Sequence, residues 1–275
     1  RQELNKQQKT LVRRRDRRSA GSKEGTGKKA ELFAGCLVNY QATDVGKATV
    51  QVLEKNGVEV ALPDQSCCGM PSFDIGDTAA MVAAAERTIA SLKSWVDQGY
   101  DVVIPTPSCS LMVKREYVSL VAGDEAKRVA EHTYDISEYL MKMKREGGLA
   151  MDFTQKPGRV AYQVPCHLRD QNIGFKSKEL MECAGAKVEV IEKCSGHDGS
   201  WSAKVEFFPL SMKIAQKAVR MVEQAPADLV ASDCPLAGLQ LDQAGAVAHA
   251  GGRSSQHPIQ IVRDAYGLPR DPRAS

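Results

Sequence analysis

The chain has 275 residues, 43% of them hydrophobic, enough to build a core without covalent staples. Its net charge is +3, but residues 1–30 hold eleven Lys or Arg against three Asp or Glu, so residues 31–275 carry about −5. No apolar run approaches the ~20 residues a membrane span requires, and the basic head is short and lacks interleaved aromatics, which argues against nucleic-acid binding.

Residues 1–30, with the run Arg13-Arg14-Arg15-Asp16-Arg17-Arg18 followed by Gly, Ser and Lys, read as a flexible basic linker: a solvated tether, or a segment that docks on an acidic partner or anionic lipid. The stretch 21–29 hints at a phosphate loop, but Lys28 is followed by Lys29 rather than Ser or Thr and no strand precedes it. A first strand is expected in the apolar run at 31–36, which ends in a glycine turn, and further strands at 58–62 and 100–104, with amphipathic helices at 45–56 and 78–98 between them. A helix at 136–141, capped by Asp135, closes this first half. A polar, Gly- and Pro-containing stretch at 147–158 separates it from a second series: strands at 159–164, 187–191 and 228–231, helices at 177–183 and 208–224, and a closing helix at 259–266. Short strands alternating with helices predict an α/β fold with parallel sheets. The expected division is a linker at 1–30, one domain at 31–147 and a second at 158–275.

The eight cysteines are arranged on this frame. Cys36 follows the first strand, the adjacent pair Cys67-Cys68 the second and Cys109 the third. Cys166, Cys194 and Cys234 follow the three strands of the second half in the same way. In parallel α/β sheets, ligands bind beyond the carboxyl ends of the strands. Cysteine usage is about 3%, no secretory signal is read at the start, and adjacent cysteines make strained disulfide partners, so a reduced, cytoplasmic setting is expected. There, gathered thiolates hold an iron–sulfur cluster or zinc. Cys183, on a helix and without a counterpart in the first half, reads as an ordinary buried thiol. His257 before Pro258 reads as structural, Asp170 and Lys114 as surface or ion-pair residues. His197-Asp198, next to Cys194, is divided between a site role and loop building.

The stretches Gly35-Cys36-Leu37-Val38-Asn39-Tyr40, Cys67-Cys68-Gly69-Met70-Pro71, Pro107-Ser108-Cys109, Cys166-His167-Leu168-Arg169-Asp170, Cys194-Ser195-Gly196-His197-Asp198 and Asp233-Cys234-Pro235-Leu236 resemble the cysteine-rich CCG domain family over residues 31–267. That family includes the heterodisulfide reductase B subunit and iron–sulfur subunits of glycolate, lactate and glycerol-3-phosphate oxidising systems. The motifs read closest to the iron–sulfur C subunit of the anaerobic glycerol-3-phosphate dehydrogenase. The resemblance implies two tandem pseudo-repeated CCG domains, each a small parallel sheet flanked by helices. It implies a cluster, [4Fe–4S] in kind, on Cys36, Cys67, Cys68 and Cys109. The full family motif supplies five cysteines, but Met112 and Ala237 stand at its last position in the two copies, and Ser195 replaces a cysteine in the second. Cys166, Cys194 and Cys234 therefore form a degenerate site for an iron–sulfur cluster or zinc. Its fourth ligand is drawn from His197, His167, Asp198, substrate or water. The implied function is electron transfer from a flavoprotein dehydrogenase subunit toward quinone, without a catalytic residue in this chain. The alternatives are heterodisulfide reductase-like catalysis and a zinc-binding structural module. A ferredoxin-like region carried by dehydrogenase subunits of this type is not found here. The chain is therefore expected to be the C-terminal portion of a longer protein, or one of a split pair that works with a ferredoxin-like domain or subunit. Any membrane contact is expected to be peripheral, on the inner face.

Overall fold

The structure, a computed structural model, describes residues 27–245 and 254–270; nearly all of the basic head lies outside the described residues. Two parallel sheets form the frame. The first runs β2-β1-β3-β4, with β1 at Lys29–Leu32, β2 at Glu59–Ala61, β3 at Asp101–Ile104 and β4 at Thr133–Asp135. The second runs β6-β5-β7, with β5 at Arg159–Gln163, β6 at Lys187–Ile191 and β7 at Leu229–Ser232. Every pairing is parallel: Glu31 lies opposite Ala61 and Val102, and Tyr162 opposite Val190 and Ala231. The central strands are buried on both sides, as parallel strands covered by helices must be; Val102, Val103 and Ile104 have no exposed surface.

The helices follow local signals. In the first half they are α1 (Gly35–Tyr40), α2 (Thr43–Lys55), α3 (Met70–Asp74), α4 (Thr78–Val96), α5 (Pro107–Leu111), α6 (Tyr117–Leu120), α7 (Asp124–Glu131) and α8 (Ile136–Arg145). Asp77 caps α4 by accepting from Ala80 N at 3.0 Å. The anticipated Asp135 cap of α8 is present as a full capping box with Glu138. A π-helical turn, Met112–Glu116, joins α5 to α6. The second half contributes α9 (Cys166–Asp170), α10 (Lys176–Cys183), α11 (Phe208–Gln224), α12 (Pro235–Gln243) and α13 (Pro258–Ala265).

Three features depart from the sequence expectation. The first strand, Lys29–Leu32, begins two residues ahead of the apolar run at 31–36; beyond it the expected glycine turn is Gly35 at φ +59°, and Cys36 enters α1. The three-residue β4 was not anticipated; it is too short to show a period. Its counterpart in the second half is the parallel bridge of Gln256 to Ala231, followed by His257, which caps α13 in a capping box with Gln260 as Asp135 caps α8. Finally, α13 does not simply close its own half. It packs across onto α2, and α8 packs onto α10. One hydrophobic cluster accordingly runs through Val52, Leu140, Leu180, Ile259 and Val262, joining the halves. Phe153, in the stretch expected to separate them, stacks on Tyr266 at 4.3 Å.

Candidate functional site

All six cysteine-bearing loops emerge at the carboxyl ends of the strands, so the two sheets present their thiols at one rim each. Cys36 stands in the first turn of α1 and Cys109 within α5, while Cys67 and Cys68 precede α3, whose entry is the left-handed Gly69 at φ +87°. The four thiols form a continuous chain. Cys36 Sγ donates to Cys67 Sγ at 3.9 Å, and the buried Cys68 and Cys109 lie close enough to couple electrostatically with each other and with Cys67. The closeness of the four sulfurs lowers the Cys67 and Cys109 thiols, and the same closeness together with burial raises Cys36 and Cys68. Gly35 is required by this closeness, since a Cβ there would lie 3.1 Å from Cys109 Sγ. Tyr117 braces the loop, its hydroxyl donating to the Cys68 carbonyl at 2.7 Å.

In the second half Cys166 opens α9, Cys194 lies in the loop after β6, and Cys234 is the residue before α12. Cys194 Sγ accepts from Gly196 N at 3.3 Å. Burial pushes the Cys166 thiol up and the Cys234 thiol up to about 11. His197 directs Nδ1 to Ser202 Oγ at 3.1 Å, and His167 directs Nδ1 to Ser108 Oγ at 2.9 Å, so each keeps Nε2 uncommitted by these bonds. Burial lowers the His197 pKa and keeps the ring neutral near pH 7, the form in which imidazole ligates a metal.

The two sets do not make two separate sites. A single cavity of about 350 Å³ is lined by Cys36, Cys67, Cys68 and Cys109 from one side and Cys166, Cys194 and Cys234 from the other. His167, His197 and Asp198, the candidates for a fourth ligand, line it as well. Cys183 does not; its Sγ accepts from Lys144 Nζ at 2.9 Å. Met112 is wholly buried in the core, and Lys114 and Asp170 make ion pairs with Glu138 and Arg115. Among the described residues, no three His, Cys, Asp or Glu side chains are drawn to the spacing of a single-ion site. The first donor set, four thiols gathered from three strand ends on one cavity wall, fits a four-thiolate cluster. The second, three thiols and a neutral imidazole, fits either a cluster with one non-cysteine ligand or zinc.

Sequence reading gave no role to four polar groups that line this cavity: Asp74 at the end of α3, Lys193, and Ser108 and Arg169 within the cysteine motifs. Burial raises the Asp74 carboxyl, against the pull of His167 and His197 across the cavity. Ser108 was within reach of sequence analysis, being adjacent to Cys109. Asp74 was not, because only the docking of the two halves brings it against the loop of Gly199.

The sequence model of the CCG cysteine-rich domain matches twice, over residues 30–114 and 160–242. The chain belongs to the CCG cysteine-rich domain family. Both copies of the CCG domain contain their own sheet and cysteines. Among relatives, a lactate utilization protein A of Geobacillus thermodenitrificans is 31% identical over 87% of this chain and 98% of its own length. One from Geobacillus kaustophilus is 32% identical with the same coverage. The C subunit of the anaerobic glycerol-3-phosphate dehydrogenase of Escherichia coli is 27% identical over 85% of this chain, and the match spans 58% of that relative. No helix among the described residues is long and apolar enough to cross a membrane.

Proposed function

We propose that this chain is an iron–sulfur subunit of an oxidoreductase that oxidises a small hydroxylated substrate such as lactate or glycerol 3-phosphate. Electrons would come from a flavoprotein partner and pass toward quinone or another carrier. The observation that carries this reading is the convergence of seven cysteines on one cavity at the carboxyl rims of two parallel sheets. Cys36, Cys67, Cys68 and Cys109 would hold one cluster, and Cys166, Cys194 and Cys234, with His197, the modified second site. A cluster bound there supplies a one-electron redox centre. The chain's own contribution is to set its environment. Cys68 and Cys109 are buried, the Gly35 turn admits close approach, and Tyr117 fixes the thiol-bearing backbone at Cys68. We also propose residues 31–147 and 158–275 as the two functional units, each with its own donor set.

A specific observation favours a second reading beside the relay. The three-thiol set is not closed off; it opens on the same cavity as the first set, with Arg169, Lys193 and Asp74 in its walls. An incomplete donor set facing a polar cavity suits binding of a small molecule at the second site. Anaerobic redox titration followed by electron paramagnetic resonance tests the relay. The expected result is a reducible iron–sulfur signal that survives Cys194→Ser in altered form and is lost in Cys68→Ser. A redox-silent protein would exclude electron transfer.

A further inference from the structure

Glu31 sits in the middle of β1 with no exposed surface. Strand alternation puts it on the face of Phe33, whose hydrophobic cluster contains Cys68 and Cys109. Its Oε1 accepts from Gln65 Nε2 at 2.9 Å, while Oε2 is buried without a hydrogen-bond partner. The Gln65 amide carries the contact onward. Its Oε1 accepts from the backbone N–H of Ala34 at 2.8 Å and of Gly35 at 3.3 Å, and its Nε2 also donates to the Leu32 carbonyl. Gln65 stands two residues before Cys67, and Gly35 one residue before Cys36. A single amide therefore connects a buried carboxyl to the two loops that bear three of the four thiols. A glutamine at position 31 would have nearly the same size and could brace Gln65 equally well. What an acid adds is the capacity to exchange a proton, and a bare carboxylate oxygen in this setting is costly to keep charged. The opposing strand positions are Ala61 and Val102; the buried positions of α4, which packs on this face, are Met81, Ala84, Ala85, Thr88, Ile89, Leu92 and Val96. The charged residues of the flanking strands, Glu59 and Asp101, sit at their starts, engaged with Tyr100 and with His132 and Lys142. Burial is the main influence on the Glu31 carboxyl and pushes it up to about 8, with the Gln65 bond opposing.

Resting on the iron–sulfur reading above, we propose that Glu31 is the proton acceptor coupled to reduction at the first cysteine set, linked to it through Gln65. One electron arrives from a one-electron donor, and one proton from solvent converts the Glu31 carboxylate to the acid, so the buried charge is unchanged. An added negative charge in a low-dielectric interior raises the affinity of a nearby carboxylate for a proton. The sign follows: above about pH 8, where Glu31 is ionised in the oxidised protein, the midpoint potential falls as pH rises. The test is a mediated redox titration of the anaerobically purified chain at pH values on either side of about 8, in wild type and Glu31→Gln. Reduced-minus-oxidised infrared spectra are recorded on the same samples. The wild type is expected to take up to one proton per electron above that pH and to gain a protonated-carboxyl band on reduction; Glu31→Gln shows a level potential and no band. The same pH dependence in both loaded proteins, or no carboxyl band in the wild type, overturns the coupling while leaving the cluster in place. Absence of a reducible cluster from the wild type overturns the iron–sulfur reading and this one with it.

Discussion

Cysteine appears in this chain in two distinct settings, and side-chain neighbours separate them. Cys109 is buried, lines the cavity beside Cys68, and has its thiol pKa lowered despite burial. Cys183 lies outside the cavity lining as an ordinary thiol, but it is partly exposed beside Lys144 rather than buried as expected. Cys109→Ser is therefore expected to lose most of the iron and acid-labile sulfide of the purified protein, and Cys183→Ser to retain both, as measured by iron and sulfide per chain. This distinction was legible in the sequence, because Cys183 lacks a partner position in the other half whereas the remaining seven recur after strand ends. The hydrogen bond from Cys36 to Cys67 was not legible. It depends on which sulfur donates to which, and that is set by loop geometry. Gly196 makes a sharper residue-level test. It holds φ +82°, and a Cβ there would lie 2.3 Å from the Ser211 carbonyl oxygen, a backbone atom of α11. Gly196→Ala should cost roughly 2–4 kcal/mol in denaturant unfolding, from left-handed strain and the clash together.

Secondary-structure elements were read more securely than their packing. Helix α11 runs over the residues its periodicity predicted, and α8 begins at the Asp135 cap. Thr133–Asp135 escaped notice because three residues cannot display alternation, and its strand character comes from pairing with β3. The caps of α8 and α13 are equivalent in position but differ chemically. His257 Nδ1 accepts from Ile259 N at 3.1 Å, which requires an unprotonated nitrogen, and burial lowers the ring's pKa to about 3. A base with a depressed folded pKa loses stability as pH falls, starting from its ordinary value near 6.5 and continuing down to about 3. Replacing His257 with Asn keeps a side-chain acceptor at the cap. The expected outcome is a flatter decline of unfolding free energy between those two pH values than in the wild type. An identical decline would mean that His257 does not titrate on unfolding.

On the scale of the whole molecule, the determining feature is how the halves are joined. Arg263 of α13 is 2% exposed and directs Nη1 to both carboxylate oxygens of Asp44 at the start of α2, each at 2.8 Å; Gln260 donates to the same carboxylate. Asp44→Ala leaves the guanidinium buried with Asp264 alone and should cost about 3 kcal/mol. The solvent-exposed pair Lys178–Glu182 should be worth less than about 1 kcal/mol when removed. Gln171 and His167 extend the junction to the cavity, bonding Ser110 at 2.8 Å and Ser108 at 2.9 Å across the halves. The pseudo-repeat and its strand-end cysteines were visible in the sequence, but the meeting of both sets in one cavity was not. Spacing along a chain says which strand ends carry thiols; the angle between two sheets is fixed by long-range contacts such as Arg263 with Asp44. The central claim is that these thiols hold iron–sulfur chemistry at that shared cavity. Its most direct test is determination of iron, acid-labile sulfide and zinc in anaerobically purified protein. Iron with matching sulfide, lost together in Cys68→Ser, is the predicted result; zinc without sulfide would contradict it.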